Sequence, residues 1–211
     1  MRTRKRLKGL QTWLKENICQ GREMNTAAPN NDITQICRQE PDVYIAWYPG
    51  HPDSTTDEMA RNVSPGIVLM PAASKYRDME EKRFNRYNNV RRPQDLGQTL
   101  SVQLLFSVYE PGIRLPGFTE NPKDMTKLLD GTEEGLFALT DWMDECMEKM
   151  AAVRHSPGTD LSLNEASVGY SLYTDQSFVV DKRPLYYGII VAEFGCYAGT
   201  AQNRAVDEFL K

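Results

Sequence analysis

The side chains in this 211-residue chain that could do chemistry are few and far apart. Its two histidines, His51 and His155, stand beside Pro52 and just before Pro157, with no cysteine or carboxylate at ligand spacing. A structural zinc ion takes about four nitrogen or sulfur ligands at close intervals, so no metal is expected. The cysteines Cys19, Cys37, Cys146 and Cys196 form no CxxC pair and are too dispersed to read as a disulfide framework; a reducing compartment is the default. Asp141, Asp144, Glu145 and Glu148 are the densest carboxylates. Their spacing puts them on one helical face opposite a Leu–Met stripe, which reads as a solvated face rather than an acid–base pair. Gly112, Gly117, Gly131 and Gly135 make neither GxGxxG nor a phosphate loop, and no serine sits in a GxSxG elbow. The residues point to no enzyme and to no cofactor.

What remains is recognition chemistry. Net charge is −4, yet residues 1–15 carry Arg2, Arg4, Lys5, Arg6, Lys8 and Lys15 with no acidic partner. Residues 75–92 (KYRDMEEKRFNRYNNVRR) are basic again and hold Tyr76, Phe84 and Tyr87. Basic side chains interleaved with aromatics are the crude footprint of a nucleic-acid binder, although solvated segments look the same. Tyr44, Trp47 and Tyr48 put aromatics on both faces of one short strand, which suggests an edge covered by another subunit. Met143, Met147 and Met150 suit either a core or a soft partner-binding face.

These residues must be held by the elements that periodicity predicts. Residues 99–110 place Leu100, Val102, Leu104, Phe106 and Val108 on one face of a strand. Residues 185–197 do the same with Tyr186, Ile190, Ala192, Phe194 and Cys196. Between them, 133–154 spaces Leu136, Leu139, Met143, Met147 and Met150 for a long helix, with Glu133 and Glu134 at the positive end of its dipole. An N-terminal helix is expected over 2–19, stopped by Gly21. Further strands are expected at 43–48, at 66–70 between Pro65 and Pro71, and at 166–174, with 175–184 closing a hairpin onto the last strand. Residues 71–98 and 111–131 read as extended polar loops, and 198–211 as a short helical tail. The expectation is one α+β domain spanning 1–211: a mostly antiparallel sheet of about five strands, a long helix packed on one face, an N-terminal helix and long polar loops. An apolar fraction of 40% suits one core with large connections. No run approaches the about 20 apolar residues of a membrane helix, and the basic N-terminus lacks a signal peptide's apolar stretch.

The order of helix, strands, long loop, strand, helix and hairpin resembles the tail terminator proteins of long-tailed bacteriophages and phage-tail-like particles. The likeness rests on residues 99–197. Leu105-Phe106-Ser107-Val108-Tyr109-Glu110-Pro111 resembles the family's long strand and its proline turn, and Leu139-Thr140-Asp141-Trp142-Met143-Asp144 resembles its helix. Residues 170–197 are similar to its closing hairpin. The resemblance implies a structural virion protein assembled in host cytoplasm, a ring of six subunits capping the tail tube. It would end polymerisation, meet the tube or sheath protein, and offer a surface to the head connector or neck. A closed ring also consumes sheet edges without propagating a filament. On this reading Tyr76, Phe84, Arg86, Tyr87, Arg91 and Arg92 form the assembly interface, and Arg2, Arg4, Lys5, Arg6 and Lys8 touch a partner or passing DNA. The alternatives are a nucleic-acid-binding accessory protein, or another phage neck or baseplate adaptor.

Overall fold

The computed structural model describes residues 2–28, 37–50, 53, 55–78, 96–110, 132–153, 161–172, 174–175, 178–179 and 184–197. The N-terminal apolar stripe forms α1 (Arg2–Leu14), which runs on into a π-helical turn, Lys15–Cys19. Leu7, Leu10, Trp13, Leu14, Ile18 and Cys19 are its buried side. Gly21 ends the turn at φ 76°, a left-handed conformation that glycine adopts without the Cβ penalty. β1 (Met24–Thr26) and β2 (Cys37–Gln39) pair antiparallel as a small separate ribbon. Next come β3 (Asp42–Ile45), α2 (Thr56–Val63), β4 (Gly66–Asp78) and β5 (Leu96–Tyr109). They are followed by α3 (Thr132–Ala152), β6 (Leu161–Leu172), a short pair β7 (Thr174–Asp175) and β8 (Phe178–Val179), and β9 (Leu185–Tyr197).

Five strands make one mixed sheet in the order β3-β4-β5-β9-β6, in which only β3 and β4 run parallel. The period-two alternation decides what each strand buries. Leu100, Val102, Leu104, Phe106 and Val108 of β5 are all buried, beside Ile190, Ala192 and Phe194 of β9. α1 and α3 cover this face, and α3 contributes Leu139, Trp142, Met143, Cys146 and Met150. Phe106 meets the Trp142 ring edge-to-face at 4.9 Å between centroids. Met143 settles over Gly188, the cross-strand neighbour of Phe106, where a Cβ would overlap the thioether. The opposite face is also packed at one end: Val68, Tyr109, Leu185 and Tyr187 gather there with Tyr48 and with Ala60 of α2. The sheet therefore carries helices on both faces, α1 and α3 on one and α2 on the other. α2 has no counterpart in the sequence expectation.

The polar stretch 71–98 is not loop throughout. β4 passes through Pro71 by shifting register between Pro71 and Ala73, a bulge that accommodates a residue without an N–H. Pairing then continues to Asp78 opposite Leu96. What is left of the expected loop, 79–95, lies outside the described residues, as do 111–131 and 198–211. β3 is shorter than the expected 43–48, because Ala46 turns to φ 75° and takes the chain off the sheet. β6 begins earlier than 166, at Leu161, and is broken between Asn164 and Gly169. There the Ser167 hydroxyl donates to the Asn164 carbonyl at 2.6 Å and accepts the Glu193 N–H at 2.8 Å, standing in the ladder where backbone would. Among the described residues, no helix is long and apolar enough to cross a membrane.

Candidate functional site

Of the described cysteines, Cys19 and Cys146 are locked in packing, while Cys37 on β2 is half-buried. Burial first and the neighbouring Asp42 second push the Cys19 thiol up to about 12. Burial likewise raises the Cys146 thiol, whose Sγ rests 3.7 Å from Met150 Sδ. Neither can be a thiolate nucleophile near neutral pH. A buried hydroxyl group lies behind the sheet. The Ser64 hydroxyl donates to Ser107 Oγ at 2.8 Å, Ser107 donates to the Gly66 carbonyl at 3.3 Å, and Thr26 donates to the Ser64 carbonyl at 2.6 Å. The buried Tyr48 hydroxyl approaches Ser107 without completing a hydrogen bond, and desolvation holds it protonated far into the alkaline range. These bonds tie β1, the start of β4 and β5 together. His51 and His155 lie outside the described residues, among which no His, Cys, Asp or Glu group could hold a metal ion.

The surface carries the recognisable chemistry, and α1 positions most of it. Arg4, Lys8, Gln11 and Lys15 recur at steps of four, three and four, a single stripe along the helix. Contacts fix where that stripe lies. The Gln11 amide donates to the Val43 carbonyl at 2.6 Å while Lys8 donates to Gln11 Oε1 at 3.0 Å. Lys15 pairs with Asp42 at 2.5 Å, and the same Asp42 carboxylate accepts the Val43 N–H at 2.7 Å. The stripe thus runs along the outer edge of β3, whose backbone groups at Val43 are taken by side chains of its own chain. Because Gln11 lies at Val43 and Lys15 at Asp42, α1 is antiparallel to β3. Its N-terminal turn, with Arg4 and Lys5 exposed, points toward the end of β3 where Trp47 stands 80% exposed.

The second surface is α3. Its inner flank clamps the π-helical turn: Trp142 Nε1 donates to the Ile18 carbonyl at 3.3 Å and Lys149 donates to the Asn17 carbonyl at 2.7 Å. These carbonyls lie at a helix C-terminus, where cationic donors are favoured. Arg22 pairs with Glu145, which also takes Lys149 at 2.6 Å, and its guanidinium lies 6.0 Å from the Trp142 ring centroid. Burial lowers the Arg22 pKa, opposed by Cys19 and Asp141. Glu145 is thereby set apart from the solvated face expected for it. Asp141, Asp144 and Glu148 do face solvent, with Phe137, 53% exposed, on the same side.

The sequence-derived site residues divide accordingly. Arg4, Lys5 and Lys8 are exposed as a contact surface requires. Arg6 is not: it is 2% exposed and bonded within the fold, because its place on α1 falls beside Leu7 and Leu10 rather than in the basic stripe. Arg2 opens α1. Tyr76 belongs to β4, opposite Gln98 of β5, and not to a loop. Phe84, Arg86, Tyr87, Arg91 and Arg92 lie outside the described residues. Sequence reasoning missed Gln11 as an edge guard and Phe137 as a surface aromatic. The signal for Phe137 was present: it precedes Asp141 and Asp144 by four and seven positions and so shares their polar face. No protein-family model and no curated protein matches the chain.

Proposed function

We propose that the chain is a structural ring subunit that caps the tail tube of a long-tailed phage or tail-like particle. In this role it ends tube polymerisation and presents a surface to the neck. The observation that carries the reading is the β4–β5 hairpin. Its strands stay paired as far as Asp78 and Leu96, so the basic, aromatic-bearing sequence 79–95 connects the two ends of a two-stranded stem. A stem of this kind suits an arm that grips a neighbouring subunit or the tube, with aromatic anchors and arginines paired to acidic partners. The test is to replace 80–94 by a two-residue Asn-Gly turn, which leaves every described strand pair in place. The shortened protein should fold and unfold cooperatively, yet fail to cap, giving tubes of uncontrolled length by electron microscopy. Normal tail length with the shortened protein would refute the role.

A second reading, a nucleic-acid-binding accessory protein, is favoured by the exposure of Arg4, Lys5 and Lys8 on α1 and of Trp47. Duplex affinity falling steeply with salt, through release of counterions, would support it over the ring.

A further inference from the structure

We infer that copies of this chain join head to tail, the basic stripe of α1 on one copy docking against the acidic outer face of α3 on the next. The inference rests on the ring reading and names the contact that would close it. Arg4 and Lys8 on α1, and Phe137, Asp141, Asp144 and Glu148 on α3, are exposed, while Gln11 and Lys15 are engaged at Val43 and Asp42; the two stripes match in length. Arg4, Lys8, Gln11 and Lys15 recur at steps of four, three and four; Phe137, Asp141, Asp144 and Glu148 recur at the same steps. At 1.5 Å per residue each stripe runs about 16 Å, so a cationic turn can face an acidic turn along its length. An exposed aromatic belongs to each side: Trp47 at the end of β3 and Phe137 on α3. Aromatic anchors surrounded by complementary charge are the usual composition of an energetic contact.

Placement in the fold sets where the two patches lie. α1 packs on β3 and β4, whereas α3 packs on β5, β9 and β6, so the helices lie side by side on one face of the sheet. The basic stripe marks the β3 border of the molecule, and the inner flank of α3 is occupied by the π-helical turn through Glu145 and Lys149. The acidic stripe lies on the side of α3 opposite its buried Leu139, Met143 and Met150, so a neighbour must bring its β3 border onto that outer face. A two-fold contact would set the basic stripe and the acidic face of each copy against those of the other and would stop at a dimer, whereas the head-to-tail contact leaves one patch of each end copy open to the next. Two different patches in contact generate a ring when the rotation closes and a filament when it does not. Backbone pairing at β3 is not needed, since the Val43 carbonyl and N–H are already bonded to Gln11 and Asp42.

The test uses two full-length variants. One carries Arg4→Glu and Lys8→Glu, which makes both faces acidic; the other carries Asp144→Lys and Glu148→Lys, which makes both basic. All four side chains are exposed, so circular dichroism should match the unaltered protein. Sedimentation velocity should show the unaltered protein assembled at low salt and at least ten-fold weaker in 1 M salt, where the screening length falls to about 3 Å. Each variant alone should be monomeric. Their equimolar mixture should assemble, because every junction then pairs one acidic face with one basic face. Assembly by either variant alone overturns the inference while leaving the ring to close through other surfaces. Failure of the mixture, an unaltered protein that stays monomeric in low salt, or assembly that stops at a dimer also overturns it. Charge-dependent open filaments that never close would uphold the inference and refute the ring. Loss of duplex-DNA binding by the first variant with assembly unchanged would assign the basic stripe to nucleic acid instead.

Discussion

Phe106 carries the junction between helix and sheet. It is wholly buried, stacked edge-to-face on Trp142, and its cross-strand neighbour Gly188 leaves the space that Met143 fills. Phe106→Ala should therefore cost about 3–5 kcal/mol in urea unfolding, the range for a large core truncation that neighbours cannot fill. A loss under about 1 kcal/mol would place the ring at a surface. The buried thiols give a second residue-scale outcome. Cys19 holds its proton in the folded state up to about 12, against 9.0 for the solvated thiol of an unfolded chain. A raised folded value means that its contribution is intact below pH 9 and declines as pH climbs from 9 toward 12. The urea midpoint should thus be flat from about pH 7 to 8.5 and fall by about pH 10. In Cys19→Ala the drop across that alkaline range should be smaller, and an unchanged drop would remove Cys19 from the account. Which residues do this was only half legible from sequence. Leu100 through Val108 alternate openly, and Arg6 stands four and seven positions before Leu10 and Trp13, a helical spacing that sets it on the apolar side and that basic composition alone conceals.

At the scale of elements, legibility followed the strength of the periodic signal. β5, β9 and α3 bury long apolar series, and sequence placed all three within a few residues. α2 went unseen because TDEMARNV offers only Met59, Ala60 and Val63 as apolar points in eight residues. β4 was cut short at Pro71 by a rule about missing donors that a bulge satisfies. β6 was started too late because Ser167, a side chain, replaces backbone in its ladder. Edge protection is likewise a tertiary matter. Gln11 and Asp42 occupy the outward groups of Val43, one of the devices by which sheets avoid unwanted pairing. Gln11→Ala should cost only about 0.5–1.5 kcal/mol, the net worth of one hydrogen bond. It should nevertheless raise thioflavin-positive aggregation on prolonged incubation, while an aggregation rate equal to that of the unaltered protein would show that the edge needs no guard.

For the whole molecule, the sheet is a divider with unequal sides. One face is closed by α1 and α3 over the larger core, and the other is closed by α2 over a smaller cluster around Tyr48 and Tyr109. The fold class was legible because alternation and helical period are local. The border position of α1 was not, because it depends on contacts between α1 and β3, which are far apart in sequence. Basic composition alone marked residues 1–15 as a contact segment; only the hydrogen bond from Gln11 to Val43 says which of its side chains border the sheet.

The three tryptophans sit in three different surroundings. Trp142 is sealed between Phe106 and Arg22, Trp13 is buried on the inner side of α1, and Trp47 stands in water. Emission from this chain is therefore a sum of shielded and unshielded light. A collisional quencher such as acrylamide reaches Trp47 while the fold is intact, and reaches the other two only after it opens. Quenching of the native protein then reports whether the border of β3 is covered, and the red shift of the buried pair reports unfolding. One sample and one lamp distinguish assembly from stability without a label.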